Sequence, residues 1–337
     1  MGDQKAVVVG LSGCSSSGKT TLARLLRDIF PNTFILHEDD FYRPEEESVF
    51  AEMRWLEIPL ADTPPRLPFK GGVRDWDCAE SINIPDLEKA LSYIRAEGAF
   101  PVSTTSSGPT ETHRSNHDNV ISRWTTPAYK ALSSPPLPGI QPFVDSKEDK
   151  NSVGKCPASP AKIEAMKAKV QAWLRPGSPG HDIFPAAAGG DGDSDADGPP
   201  RVCLLDGFLL YSPPRFSRVM DLIDIRLFLQ VTHAKATQRR EARDGYVTLE
   251  GFWKDPPGYV DDVVWPNYVE AHRWMFVGGD VEGGRLDWDA LRQRGVLAQH
   301  LKAEGDAAVG FEFEDTLEWA VDSVMAALEG WNAQRKR

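Results

Sequence analysis

Residues 13–20 read GCSSSGKT, and this octet constrains the chain more tightly than any other stretch of it. It satisfies G-x-x-x-x-G-K-[ST] and has the flanks that motif needs, the β-branched apolar run AVVVGL before it and KTTLARLLRDIF after it. A short apolar run of this type suits a buried parallel strand. Leu22, Leu25, Leu26 and Ile29 then recur at helical spacing until Pro31 and Asn32 stop the pattern. The spacing predicts strand, loop, helix. Glycines let successive backbone N–H groups from Gly13 through Cys14, Ser15, Ser16, Ser17 and Gly18 to Lys19, Thr20 and Thr21 line a concavity at a helix N-terminus. There Lys19 reaches the β- and γ-phosphates and the Thr20 hydroxyl can ligate Mg²⁺, so a nucleoside triphosphate is the expected ligand.

The rest of the pattern repeats this alternation. TFILHE and DIRLFLQV read as strands, and RVCLLDGFLLY as a strand running to Tyr211. IPDLEKALSYIRAEGA reads as a helix with Pro near its start and Gly near its end, and a polar Arg-rich helix spans about Lys235 to Arg243. Strands alternating with helices imply an α/β fold, a mainly parallel sheet with helices on both faces. The C-terminal FEDTLEWAVDSVMAALEGWNAQRK reads as a final amphipathic helix, whereas residues 278–310 carry no assignable period.

Between Pro101 and Pro200 the composition changes to Ser, Pro, Gly and Asp, as in AAAGGDGDSDADGPP, which buries too little apolar surface to offset chain entropy. The expected organisation is therefore a P-loop nucleotide-binding domain over 1–100 and 200–337, with a long, largely disordered insertion over 101–199. Within the insertion one docked helix is expected near 159–175, where Ile163, Met166, Val170, Trp173 and Leu174 share a face.

Composition excludes several classes. A formal charge of −12 on 337 residues argues against sequence-independent binding of nucleic acid, and no stretch approaches the roughly 20 apolar residues of a membrane span. Cys14, Cys78, Cys156 and Cys203 are scattered without metal-ligand spacing, and the N-terminus enters a strand without the layout of a signal peptide. The expected location is cytoplasmic, or cytoplasmic and nuclear. Which proteins the insertion would contact is not legible.

Asp39 and Asp40, in FILHEDDFYRPEEE, read in isolation as a solvated turn. The phosphate loop changes that reading, because ligands of a parallel sheet collect outside the carboxyl ends of its strands. Asp39 and Asp40 then lie where an acceptor hydroxyl is held, and phosphoryl transfer to an alcohol needs positioning, charge neutralisation and often a carboxylate to take the proton. Asp206 ends a third strand and is a candidate for orienting Mg²⁺ through water. Arg239, Arg240 and Arg243 suit the clamping of phosphate charge. GFWKDPPGYVDDVVWPNYV reads either as a lid over a ring-bearing substrate or as a packed corner.

In order along the chain, GLSGCSSSGKTTLARLL, DDFYRPE, DWDCAESIN, LLDGFLLY, RREAR and PPGYVDDVVWPNYV resemble the nicotinamide riboside kinases, small P-loop enzymes related to uridine and pantothenate kinases. The likeness covers residues 6 to about 100 and 200 to about 276, with no counterpart to the insertion in compact members. It implies ATP-dependent phosphorylation of the ribose 5'-hydroxyl of nicotinamide riboside, and of nicotinic acid riboside, in NAD synthesis. By motif, Asp39 would be proton acceptor and Mg²⁺ partner, Thr20 the direct metal ligand, and the segment Asp39, Asp40, Phe41, Tyr42 a wall of the riboside site. Asp77 would hold ribose hydroxyls and Trp76, where the family usually has Tyr, would stack on the pyridine ring. Arg240 would face the substrate, and Arg239 and Arg243 the ATP phosphates. Asp206 replaces a family Glu with a shorter side chain, and Tyr246 falls one residue late for the lid aromatic. A uridine or pantothenate kinase is the nearest rival. A non-catalytic ATP-binding protein using its insertion as an interaction platform is a rival of another class, against which the intact Lys19, Thr20 and Asp39 weigh.

Overall fold

The first strand is apolar on both faces because it is covered on both. In β1 (Ala6–Gly13) every residue is buried, Val7, Val9 and Leu11 joining one core cluster and Ala6 and Val8 the other. The structure, a computed structural model, describes residues 4–43, 69–70, 73–100, 156–185, 198–243, 245–248, 251–299 and 311–336. The helix α1 (Lys19–Ile29) follows the phosphate loop, and β2 (Thr33–His37) runs into a 3-10 turn over Glu38–Phe41. A small antiparallel hairpin, β3 (Phe69–Lys70) and β4 (Val73–Arg74), precedes α2 (Ile84–Glu97), which has Pro85 in its first turn and ends at Gly98, φ 69°.

Next come α3 (Pro160–Trp173), α4 (Pro179–Ile183), β5 (Arg201–Asp206), α5 (Ser217–Asp221), β6 (Ile225–Leu229) and α6 (His233–Glu241). A second hairpin of β7 (Tyr246–Thr248) and β8 (Gly251–Trp253) leads through a π-helical turn, Val260–Val264, into α7 (Trp265–His272). The chain closes with α8 (Trp288–Gln293), β9 (Val296–Ala298) and α9 (Phe313–Arg335). Five strands pair in parallel in the order β2-β5-β1-β6-β9. The α1, α3, α4 and α9 residues bury against one face, and α2, α5 and α7 against the other. Among the described residues no helix is long and apolar enough to cross a membrane.

Several boundaries differ from the sequence reading. The strand expected to reach Tyr211 ends at Asp206. Gly207 N–H still donates to Leu11 O, but the next two amides turn to the Glu38 side chain. The Arg-rich helix begins earlier, at His233, because Thr232 caps it by accepting from Lys235 N at 3.3 Å. In the stretch without a period, β9 adds the fifth strand; three residues with Leu297 exposed are too few to announce a strand. The segment around PPGYVDDVVWPNYV is a packed corner, with Tyr259, Val260, Val263, Val264, Trp265 and Tyr268 all buried.

Helix α3 buries Met166, Val170 and Trp173, the last edge-on to Phe30 at 6.3 Å. It lies along α9, where Trp173 Nε1 donates to Glu329 Oε1 at 2.7 Å and Lys162 pairs with Glu318. The remaining insertion residues, 101–155 and 186–197, lie outside the described residues.

His272 at the end of α7 is fully enclosed, its Nδ1 3.0 Å from Tyr268 O and its ring 5.5 Å from Phe228. Burial pushes its pKa down to about 4, so it is neutral in the fold, with Nδ1–H donating to Tyr268 O. The unfolded chain takes up the proton at an ordinary pKa near 6.5 and is favoured as pH falls from there toward 4. This residue alone is expected to remove up to about 3 kcal/mol of stability across that window. Urea denaturation from pH 7 to 4.5 should give a shallower loss in His272→Asn, which keeps a donor but cannot titrate; parallel curves would refute the assignment.

Candidate active site

Two positions in the phosphate loop show why the glycines stand where they do. Gly13 has φ 149°, and a Cβ there would lie 2.3 Å from the carbonyl oxygen of Leu229 on the neighbouring strand. Gly18 has φ 102° and serves as the N-cap of α1. The Ser15 and Ser16 region makes the turn, Ser16 at φ 65°, and Ser17 N–H donates back to Cys14 O. Lys19 is buried with Nζ donating to Cys14 O at 3.0 Å, so the ammonium is folded across its own loop. The Cys14 side chain is enclosed beneath the loop, where burial pushes its thiol up to about 12. The Cys14 carbonyl is thus taken up within the loop, by Lys19 Nζ and Ser17 N–H. Thr21 is half-buried in the first turn of α1.

The carboxyl ends of β2 and β5 bring the predicted acids beside this loop. Residues His37 and Asp206 are paired in the sheet register. Asp206 Oδ2 accepts from Thr20 Oγ1 at 2.6 Å and lies 3.2 Å from His37 Nδ1. Burial raises the Asp206 pKa, but the His37 hydrogen bond and charge, with Lys19 and Thr20, outweigh it and hold the carboxyl below its ordinary value. Burial opposes the charge on His37 in turn, yet Asp206, Asp40 and Asp39 push its pKa up to about 9. The two shifts describe one ion pair. Asp39 is pushed up to about 6, first by desolvation and then by the Asp206 charge. Asp39 is nonetheless an exposed residue, and solvent screening softens that rise without reversing it. Asp40 is exposed beside it.

Glu38 is fully enclosed. Its Oε2 accepts from Phe208 N at 2.7 Å and Leu209 N at 3.3 Å, and burial with the neighbouring Asp39 charge pushes its pKa up to about 8. Phe41 is core, whereas Tyr42 is half-buried on the cleft side. Tyr42 lies nearly parallel to Phe208, centroids 6.4 Å apart, and edge-on to Trp76 at 6.2 Å. These three rings form an aromatic wall.

Beside the wall, DWDC is held from beneath. Asn267 Nδ2 donates to both carboxylate oxygens of buried Asp75 at 2.7 and 2.8 Å, and Tyr259 OH accepts from Trp76 N. Asp77 meets Arg240, Nη1 to Oδ1 at 2.9 Å and Nη2 to Oδ2 at 3.2 Å. The adjacent edge of the same guanidinium, Nε and Nη2, bonds Asp255 at 2.6 and 3.2 Å, and its Cζ lies 5.3 Å from the centroid of the Tyr259 ring. Arg240 is therefore a buried cross-link between α6, the DWDC turn and the chain after β8.

One turn position earlier, Arg239 projects the other way and Nη1 donates to Ser16 O in the phosphate loop at 3.3 Å. Arg243 stands just past the end of α6. Tyr246 opens β7, and its side chain lies outside the described residues. On the Arg239 side of the loop an open cleft is lined by Ser17, Lys235, Arg239, Gln299, Phe313 and Trp319.

Sequence reasoning passed over His37, Glu38, Asp75, Phe208, Asp255 and Asn267. Phe208 and Glu38 had a signal, their adjacency to strand-end acids in GFLL and HEDDF. Asp255 and Asn267 had none, since a lone polar residue near prolines reads as loop.

Comparison with known proteins decides the family. No protein-family model matches the chain. It is 31% identical over 326 residues to nicotinamide riboside kinase of Schizosaccharomyces pombe, an alignment covering 97% of this chain and 99% of that one. The chain belongs to the nicotinamide riboside kinase family. The family match to the Saccharomyces cerevisiae nicotinamide riboside kinase is 27% over 283 residues, 84% of each chain, and to human nicotinamide riboside kinase 2 is 24% over 273 residues, 81% of this chain and 70% of that one. The alignment to the S. pombe family member runs well beyond the two blocks, 6 to about 100 and 200 to about 276, that carry the motif resemblance.

Proposed function

We propose that this kinase transfers the γ-phosphoryl group of ATP to the ribose 5'-hydroxyl of nicotinamide riboside, giving the mononucleotide for NAD salvage, and that it also accepts nicotinic acid riboside. In a chain of this family, the observation that carries the reading is the meeting of the phosphate loop, Asp39 and an aromatic wall at the carboxyl ends of β1, β2 and β5. The triphosphate occupies the loop from Gly13 to Thr21, with Lys19 swinging from Cys14 O to the β- and γ-phosphates. Arg239, already at the loop, and Arg243 neutralise phosphate charge, and the base lies in the open cleft on the Arg239 side, where Phe313 and Trp319 offer aromatic faces.

Asp39 takes the proton of the 5'-hydroxyl as that oxygen bonds to the γ-phosphorus and the bond to the β–γ bridging oxygen breaks, releasing ADP. Its raised pKa makes it a better proton acceptor than an ordinary carboxylate. Asp77, aligned by Arg240, binds ribose hydroxyls, while Trp76 and Tyr42 take the pyridine ring; the cationic ring of the riboside suits aromatic faces near carboxylates. Thr20 and Asp206, with Asp39 alongside, fit Mg²⁺: they are hard oxygen donors, and the 2.6 Å contact shows them already adjacent. When bound, the ion would neutralise charge on the β- and γ-phosphates. A reducing, cytoplasmic setting belongs to the same reading, supported by free thiols at Cys14, Cys78, Cys156 and Cys203.

The test is ATP consumption with nicotinamide riboside, uridine and pantothenate side by side. Turnover with the first should dominate. Clear turnover with either other and none with nicotinamide riboside would overturn the reading.

A further inference from the structure

We infer that Phe208 is a further substrate-contacting residue of the riboside pocket and that Glu38 is its positioning residue, holding the Phe208 turn in place through the backbone. The inference rests on the reading that the riboside occupies the mouth formed by β2 and β5.

The backbone shows the need. The sheet ladder at the end of β5 makes its last bond from Gly207 N to Leu11 O at 3.1 Å. Beyond it the chain turns across the mouth of the site, leaving the amides of Phe208 and Leu209 without a strand to pair with. Buried amides must find an acceptor, and Glu38 Oε2 supplies it to both. The approach is close: a Cβ on Gly207 would lie 2.6 Å from Glu38 Oε2 and 2.8 Å from its Cβ, so only glycine leaves room. Leu209 and Leu210 are sunk in the core, while Phe208 remains half-buried on the cleft side. One side of the turn is therefore anchored by packing, and the other, which presents the ring, by Glu38.

A structural filler at position 38 would be apolar, since enclosing a carboxyl group costs free energy unless its hydrogen bonds repay it. This one reaches from the 3-10 turn that carries Asp39 to the turn that follows Asp206 at the end of β5, and what it orders is the residue whose ring stacks on Tyr42. Phe208 extends the wall of Tyr42 and Trp76 by a third face, one with no polar group of its own. A flat cationic ring gains from each such face, so losing Phe208 or its placement weakens riboside binding and leaves the ATP site unaffected.

Three variants test this, Glu38→Ala, Glu38→Gln and Phe208→Ala, with amide hydrogen exchange beside steady-state kinetics. Glu38→Ala and Phe208→Ala should raise KM for nicotinamide riboside on the order of 10-fold, with KM for ATP within about 2-fold of wild type. Glu38→Gln, whose amide oxygen accepts the same two bonds, should restore riboside KM to within about 3-fold. Exchange at the Phe208 and Leu209 amides should accelerate at least about 10-fold in Glu38→Ala and not in Glu38→Gln. Unchanged exchange in Glu38→Ala, or a Glu38→Gln variant as impaired as Glu38→Ala, overturns the positioning role; unchanged riboside KM in Phe208→Ala overturns the contact. Should Glu38→Ala fail to fold, the other two decide, since KM must rise in Phe208→Ala alone. If wild type phosphorylates uridine instead, the proposed function fails, and the same KM comparison made with uridine still tests the wall.

Discussion

Asp39→Asn is expected to lower kcat by about 10² to 10⁴ while leaving the dissociation constant for ATP nearly unchanged. Asparagine keeps the shape of the side chain but cannot take a proton. In the proposed mode the phosphate loop would hold the triphosphate through backbone amides and Lys19, and the contact that positions Lys19 here is to Cys14 O rather than to Asp39. Single-turnover kinetics with saturating riboside, beside calorimetric titration of ATP, separate the two effects. Asp40→Asn should change kcat by less than about 10-fold, since Asp40 is exposed beside the mouth. A harmless Asp39→Asn beside a crippling Asp40→Asn would move the base by one residue.

Arg240→Ala should cost about 3 to 5 kcal/mol of folding stability, the largest such effect expected at the site. The Arg240 side chain is 7% exposed and bonds Asp77 and Asp255 with two edges of its guanidinium, so its removal takes away the cation that the two carboxylates share. Stability read from urea denaturation should fall, and KM for the riboside should rise because Asp77 loses its orientation. Arg240→Lys should recover only part of either, since a point charge cannot bond two carboxylates in the planar fork geometry. Equal recovery by lysine would mean that charge alone matters there.

Much of the architecture was legible because it depends on local patterns. The alternation of AVVVGL, helix and TFILHE specifies a strand-helix-strand unit, and the octet GCSSSGKT needs no distant partner to be recognised. Helix α3 was legible from its apolar face and the Ser159 cap, which accepts from Lys162 N at 3.2 Å. What escaped was short or non-local. Strand β9 contributes three residues whose role comes from pairing with β6, and α8 beside it is a helix of six. The early end of β5 depends on a side chain 170 positions away in the sequence, Glu38 to Phe208.

The candidate site divides along the same line. Position along the chain identified Asp39, Asp206, Lys19 and Thr20 as residues at strand ends and a helix start, but their mutual distances follow from the order in which the strands pair. That order puts β5 between β1 and β2, although it comes later in the chain than both, and so brings Asp206 to Thr20 and His37.

By itself, then, the sequence determined a phosphate loop between strand and helix, acids at strand ends and membership in a parallel α/β class, because each depends on chemistry within a few neighbouring residues. Only the tertiary structure decided that Arg240 is a buried link between Asp77 and Asp255, that Glu38 faces inward to the Phe208 turn, and that Tyr42, Trp76 and Phe208 form one wall. Those relations join residues from separate elements, and the burial that makes them matter exists only once the sheet and its helices have closed around them.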